Sequence, residues 1–474
     1  MKDVKMNYKI IMTLTLIFMM LFPIFGTILG NFNSRNYIIT ENYSIENQAT
    51  LNYTWIENWS RYNDRDDNPY AITLDSQGNI IMVGRSLNQT SYSDNMIVAY
   101  NSTGTQLWNH TYDGGHLDEF RGVVTYGNDI YAAGSFYNQS NSRWEIDIVK
   151  YSNQIPVWRK IWHKTGSTST SCLDMDIDSS GNLYLVGYVS MPTGMDGLIL
   201  KLDSSGDEIW NVTYNDTSSN TDTCYSILIN GTDMFIGGST ESWGIGGTYA
   251  DGFVAKYDQS TGAFLWNFTW NSTSNQESTR DIAMDLDGNL YLVGNTVDGA
   301  GFYSRGVVLK YNTSRDLQWL KQYNDFGHGR AFGIVVDTVK NFTYMIGQAI
   351  DNVFMPTIQD LVIIKYDFDG EIIKNWTWNG PNNGNDQGNA GIVDGSGNLY
   401  VIGETEGSVA EADAILMKIE IYQIQQDQPG GPSTPNSPQI PGFEFIFILI
   451  SLISILGLYH LSRARKIRRM SNIY

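Results

Sequence analysis

One ten-residue stretch constrains this chain more than any other. Residues 178–187 read DSSGNLYLVG, and the same pattern returns six more times at nearly even spacing. The copies are GNIIMVG ending at Gly84, GNDIYAAG at Gly134, GNLYLVG at Gly187, GTDMFIGG at Gly238, GNLYLVG at Gly294, KNFTYMIG at Gly347 and GNLYVIG at Gly403. Each joins a tight-turn signal of Asp, Ser, Gly and Asn to an apolar run rich in β-branched and aromatic residues. That combination reads as a turn feeding a buried strand. Successive glycines lie 50, 53, 51, 56, 53 and 56 residues apart.

A period of that length, filled only with strand-like segments, accommodates four short strands per unit. This is the arithmetic of a β-propeller blade. In the third unit the strands are read at 173–178 (A), 182–189 (B), 197–203 (C) and 208–214 (D). Strand B is apolar without alternation, as expected for a strand covered on both faces. Strand C carries Lys150, Lys201, Lys256, Lys310, Lys365 and Lys418, with Ala99 as the exception. Five residues before that position stand Asp94, Glu145, Asp196, Asp251, Asp360 and Asp413, against Arg305. Strand D carries Trp with an aromatic four positions on, as in Trp55/Trp59, Trp158/Trp162 and Trp266/Trp270, and positions i and i+4 of a strand share a face. A charge or ring that recurs in every unit is structural, so the tryptophans read as wedges between blades.

The order of strands fixes closure. The chain begins its repeats with a lone strand D (53–59) and ends them with A, B and C running to 421. The N-terminal strand is therefore expected to complete the last of seven four-stranded antiparallel blades, an all-β ring without exposed edges. The propeller spans 52–422. Residues 31–51 are polar and read as a spacer, and 423–441, rich in proline, read as an extended stalk.

Both ends are hydrophobic. Residues 1–30 carry lysines followed by a long apolar run, a signal peptide or an uncleaved signal anchor. Residues 445–461 form an apolar run of 17, within a transmembrane or sorting helix placed at 442–462. The basic tail 463–474 belongs on the cytoplasmic side by the positive-inside rule, which puts the body outside the cell. Residues 31–441 retain 22 basic and 48 acidic residues. Nucleic acid is an unsuitable partner for such a surface. The acidity either keeps an extracellular domain soluble or attracts divalent cations or cationic partners.

Fifteen Asn-x-Ser/Thr sequons agree with that topology as glycosylation candidates: Asn42, Asn52, Asn58, Asn88, Asn101, Asn109, Asn138, Asn211, Asn215, Asn230, Asn267, Asn271, Asn312, Asn341 and Asn375. Cys172 and Cys224 occupy equivalent places in consecutive units, and either pair as an inter-blade disulfide or remain two buried thiols.

The unit resembles the SBBP-type β-propeller repeat, whose pattern is matched here by Asp178, Gly181, Asn182, Gly187, Asp196, Lys201 and Trp210. That resemblance implies a seven-bladed fold and a secreted or surface setting, and it carries over no catalytic residue. Pro441, Gly442 and Phe443, followed by the apolar run and basic end, look like the PGF-type C-terminal sorting signals of archaeal surface proteins. They imply cleavage of the tail and attachment to the membrane through lipid; a plain membrane helix is the alternative.

Chemistry is sparse. No HExxH or GxSxG motif is present. The turns DLDGN (285–289) and DFDGE (367–371) suggest Ca2+, but neither supplies a bidentate Glu at EF-hand spacing, so their Asp is read as a backbone acceptor. Asp64, Asp66 and Asp67, in the run NDRDDN at 63–68, are weak metal candidates that stand above the turns because their acidic run is not repeated. No other cofactor is expected. Connections A to B and C to D are short, whereas 239–251, 348–360 and 378–390 are long and emerge on one face. Any ligand is expected to meet that face. The sequence thus favours a cell-surface module for binding or adhesion to an extracellular macromolecule, a glycan or a neighbouring envelope component. The alternative is a propeller hydrolase or lyase of extracellular polysaccharide, which requires carboxylates or a His/Tyr pair converging at the central funnel.

Overall fold

The computed structural model describes residues 49–51, 53–62, 65–90, 92–114, 117–215, 220–242, 249–271, 276–297, 304–323, 329–350, 358–406 and 411–419. Seven antiparallel sheets of the repeat follow one another in chain order, six of them built from consecutive strands. The third runs Ser169–Ile177, Leu183–Met191, Gly194–Leu202 and Glu208–Tyr214, and the others repeat that order. Strand A of each blade touches strand A of the next, and strand A of blade seven (Asp386–Val393) touches that of blade one (Asp67–Leu74), so the ring is closed. This is the expected seven-bladed propeller.

Closure takes the expected form. Tyr53–Trp59 pairs antiparallel with Ala412–Ile419 as the outer strand of blade seven, with Glu57 opposite Leu416. The residues just before it do more than space it. Ala49–Thr50 adds a short parallel strand outside strand D of blade six (Ile372–Trp378), and the Leu51 N–H donates to the Thr377 carbonyl at 3.1 Å. The last three residues of the supposed spacer therefore belong to the ring, and Leu51 is buried there.

Seven apolar clusters fill the seven junctions between blades. Strand B explains why it lacks alternation: Leu183 and Leu185 join the cluster with blade two, while Tyr184 and Val186 join the cluster with blade four. Both faces of the strand are core.

The charged and aromatic signatures form one structural layer across each blade. Tyr184 of strand B, Lys201 of strand C and Trp210 of strand D are direct cross-strand neighbours. The Lys201 ammonium lies 4.9 Å from the Tyr184 ring centre, and the Trp210 ring packs edge-on to Tyr184. The same stacking recurs at Lys150/Tyr131, Lys256/Phe235, Lys310/Tyr291 and Lys418/Tyr400. The tryptophan is also a wedge, since Trp158 and Trp210 each reach the C–D turn glycine of the following blade, Gly206 and Gly262.

One open alternative is decided and one expectation changes. Cys172 and Cys224 are free thiols, both fully buried, and no disulfide joins them. Equivalence is the reason: each sulfur packs into its own blade junction, Cys172 between blades two and three and Cys224 between three and four. The stretch 378–390 is not one long loop, because strand A of blade seven already begins at Asp386. Its polar residues belong to an inner strand.

The turns behave as read. In 285–289 the Asp285 carboxylate accepts from Asp287 N–H, Asn289 N–H, the Asn289 amide and the Tyr291 hydroxyl, and Gly288 takes φ +81°. Among the sequons Asn42 and Asn52 lie outside the described residues, and none of the other thirteen asparagines is fully buried. The terminal hydrophobic segments, the stalk and the basic tail also lie outside the described residues, as does Asp64.

Candidate functional site at the mouth of the central channel

The signature glycines identify the site by an unexpected route. In every blade the inner strand A carries one unpaired residue opposite the signature glycine, a β-bulge at the same place seven times over. The bulged residues are Tyr70, Arg121, Leu173, Tyr225, Arg280, Phe332 and Asn389. The bulge drives a strand A carbonyl onto the glycine: a Cβ on Gly187 would sit 2.0 Å from the Ser171 oxygen, and the other six meet equivalent carbonyls at 1.8–2.0 Å. Only glycine fits there, and bulges commonly re-aim a side chain.

Here the re-aimed side chains are those of the innermost strands, in the half of strand A nearest the loop-bearing face. Neighbouring bulges touch around the ring. The Arg121 guanidinium lies 3.7 Å from the Tyr70 ring centre, Arg280 lies 4.1 Å from that of Tyr225, and the Asn389 amide donates to the Pro69 carbonyl at 2.8 Å. Unlike the Lys and Trp layer, this ring differs from blade to blade.

On the side of blades seven, one and two it becomes a polar cluster. Arg121 donates two bonds of 2.9 Å to the two oxygens of Glu119, a bidentate pair that fixes the guanidinium plane. Asn68 links Glu404 to Arg85, donating to the Glu404 carboxylate and accepting from Arg85 Nε at 3.0 Å. Burial pushes the Glu404 carboxyl above its ordinary range, while Asn68 and Arg85 hold it back. Burial likewise raises the Tyr70 hydroxyl, against the pull of Arg121 and Arg85.

On the opposite arc the charge is less compensated. Arg280 is held by neutral groups, Tyr225 and the Ser278 hydroxyl at 3.2 Å, and both Arg280 and Arg330 are exposed. Among the described residues no salt bridge engages Arg85, Arg280 or Arg330. An acidic protein thus collects guanidinium groups at the centre of its ring. Such an arrangement can recognise planar anions by paired hydrogen bonds and sugar faces by stacking.

Sequence reading missed these residues, because it started strand A too late and assigned its polar first half to loops. The signal was present: each bulged residue stands 13 to 15 positions before a signature glycine. The other candidates are local. Asp66 accepts from the Ala412 N–H at 2.9 Å and Asp67 from the Arg61 N–H at 3.0 Å, tying blade one to the closure region. Of the long connections, 243–248 and 351–357 lie outside the described residues.

No protein-family model matches the sequence, and no curated protein matches it. Solved structures do. An ulvan lyase, described as a new family of polysaccharide lyase and bound to -[GlcA(1-4)Rha3S]-, is 12% identical with a TM-score of 0.52, over 77% of this chain and 96% of that one. A second structure of an ulvan lyase gives 13% identity and 0.51 over 76% and 95%. The β-propeller domain of the Trilobed protease from Pyrococcus furiosus is 12% identical with a TM-score of 0.42, over 74% of this chain and 96% of that one. The likeness is one of fold. At such identities it carries no residue role to this chain.

Proposed function

We propose that this chain is a cell-surface propeller that binds an extracellular anionic glycan at the mouth of its central channel, on the face bearing the long loops. The observation that carries the reading is the unrepeated ring of bulged residues, with Arg121 on Tyr70 and Arg280 on Tyr225, and beside it exposed Arg330, two positions before the bulge of blade six. Repeated features build the blades, whereas this ring varies while its backbone does not. Attachment to the membrane through the C-terminal apolar segment or a lipid rests on the sequence around residues 441–469. Carboxylate- or sulfate-bearing sugars suit paired guanidinium groups.

A second reading, a polysaccharide hydrolase or lyase, draws on Glu119, Glu404 and Tyr70 converging at the same rim, the constellation such an enzyme requires. The lyase that shares the fold was solved with a glucuronic acid-containing oligosaccharide, which makes acidic polysaccharides the first probes for both readings.

The test is an array of neutral, carboxylated and sulfated glycans probed with the ectodomain, followed by incubation of any bound polymer and assay for shortened chains. Selective retention of acidic glycans, weakened at least about tenfold in Arg280→Ala/Arg330→Ala, supports binding. Product release that disappears in Glu404→Gln supports the enzyme. Equal retention by the double variant excludes the rim as the site.

A further inference from the structure

A second constellation on the same face is set apart by comparing the blades with one another. The residue that follows strand D faces the acid of strand C, and in most blades it is a hydrogen-bond donor. Asn215 donates to Asp196 at 3.0 Å and Asn271 to Asp251 at 3.5 Å, Ser60 sits beside Asp413, and His163 Nδ1 lies 3.7 Å from Glu145. Blade one breaks the rule. There Asp94 faces Asp113, an acid in the donor's place.

A third carboxylate joins them from the next blade. Asp118, the first residue of strand A of blade two (Asp118–Tyr126), brings an oxygen into the group, and one oxygen from each of the three residues lies within 4.8 Å of the others. Asp118 is fully buried. One of its oxygens accepts from the Gly114 N–H at 2.6 Å, and the other has no hydrogen-bond partner. A buried carboxylate oxygen without a partner is costly unless something occupies the place beside it. Nearby Asp147 differs, since Arg159 and Asn95 together occupy both its oxygens.

The geometry points to a divalent-cation site formed by Asp94, Asp113 and Asp118, with calcium as the ion it takes. Arg61 pairs with Asp94 and Arg159 acts on Asp118 from its place on Asp147, yet neither donates to the unpartnered Asp118 oxygen, which is left for a cation to meet. The donors are all oxygen, the choice of hard cations. Ligands of one calcium stand roughly 2.3–2.6 Å from it and therefore within about 5 Å of each other, as these are. Asp113 is exposed, which leaves one side open for water to complete six to eight ligands. Magnesium demands a stricter octahedron than three carboxylates from separate strands and blades provide.

The ion would fasten blade one to blade two immediately beside the channel rim, because Glu119 and Arg121 follow Asp118 on the same strand. Asp94 is held in place by the Asn88 amide at 2.9 Å.

The test uses the whole ectodomain, stripped with chelator and titrated with calcium by calorimetry and thermal melting. One calcium per chain is expected to bind and raise the melting temperature. Magnesium at the same concentration should leave it unchanged. Asp113→Asn restores the residue found in blades three and four, so that variant should fold, melt in chelator at least as high as the parent, and bind calcium about tenfold more weakly or not at all. Asp118→Asn, whose cost in chelator is measured alongside, should lose the calcium response too. No binding at millimolar calcium, an equal response to magnesium, or full calcium affinity in Asp113→Asn would each overturn the assignment.

Discussion

At the scale of single residues, the signature glycine has a reason that composition hides. Its neighbours Leu, Val and Ile make it look like a strand residue chosen for turn or entropy, yet it sits mid-strand in extended backbone. What requires it is contact: the bulged strand A leaves no room for a methyl group. Gly187→Ala should therefore destabilise the protein by about 3 kcal/mol in urea unfolding, at the upper end for overpacking. Gly395→Ala supplies the control, since a Cβ there meets nothing within 4 Å and its φ is not positive, and it should change stability by less than about 0.5 kcal/mol. Equal effects at the two positions would remove the steric account. The glycine was legible in the sequence as a mark of period, but the bulge was not, because the clashing carbonyl belongs to a segment 16 residues upstream, Ser171 for Gly187.

At the scale of the strand, inner strand A is where sequence and structure diverge most. Strands B, C and D announce themselves because apolar runs, Lys and Trp face packed neighbours. The first half of strand A satisfies polar side chains by hydrogen bonds, Ser171 with Ser135 and Asp386 with Thr405 and the Gly380 N–H, so Ser169 to Ser171 or Asp386 to Gln387 carry the polarity of a loop while pairing as a strand. Just after the bulge the side chain meets the next blade, and five blades place Ala, Gly or Ser there. The other two place Asp174 and Asp281, which accept the N–H of Ile227 and Ile334 in the following blade, both at 2.9 Å, and Asp176 accepts that of Ile229 at 2.6 Å. Burial raises the Asp176 and Asp281 carboxyls from 3.8 to about 6. A pKa raised on folding contributes stability that is full below the unfolded value and lost as pH rises through about 6. Turn aspartates such as Asp178 and Asp394, held low despite burial by their turn donors, act oppositely and only near or below 3.8. The urea midpoint should therefore rise as pH falls from about 7.5 to about 5, and Asp176→Asn/Asp281→Asn should flatten that rise. Relief of the general negative charge would act equally in both proteins, so an unchanged slope in the double variant would discard these carboxyls as its source.

At the scale of the whole molecule, stability rests on a ring that must be shut. Each blade lends one face of strand B to each neighbour, so an open ring exposes two apolar blade faces at once. The latch is the segment 49–59, and it holds two blades together: Ala49 to Leu51 dock on blade six, while Tyr53–Trp59 completes blade seven and places Trp59 in the junction with blade one. That double attachment was only half legible, because two residues of parallel strand leave no periodic trace. Leu51→Ala, which removes a buried side chain from the junction of blades six and seven, should cost about 2–3 kcal/mol. A chain starting at residue 60 should unfold at lower urea and aggregate through the bared edge of strand C. A synthetic peptide of residues 49–60, added in trans, should restore the midpoint in a saturable manner, because it recovers both attachments. The peptide carrying Leu51→Ala should need a higher concentration for the same rescue. Rescue by residues 53–60 alone, as efficient as by the longer peptide, would show that the hold on blade six contributes nothing to closure.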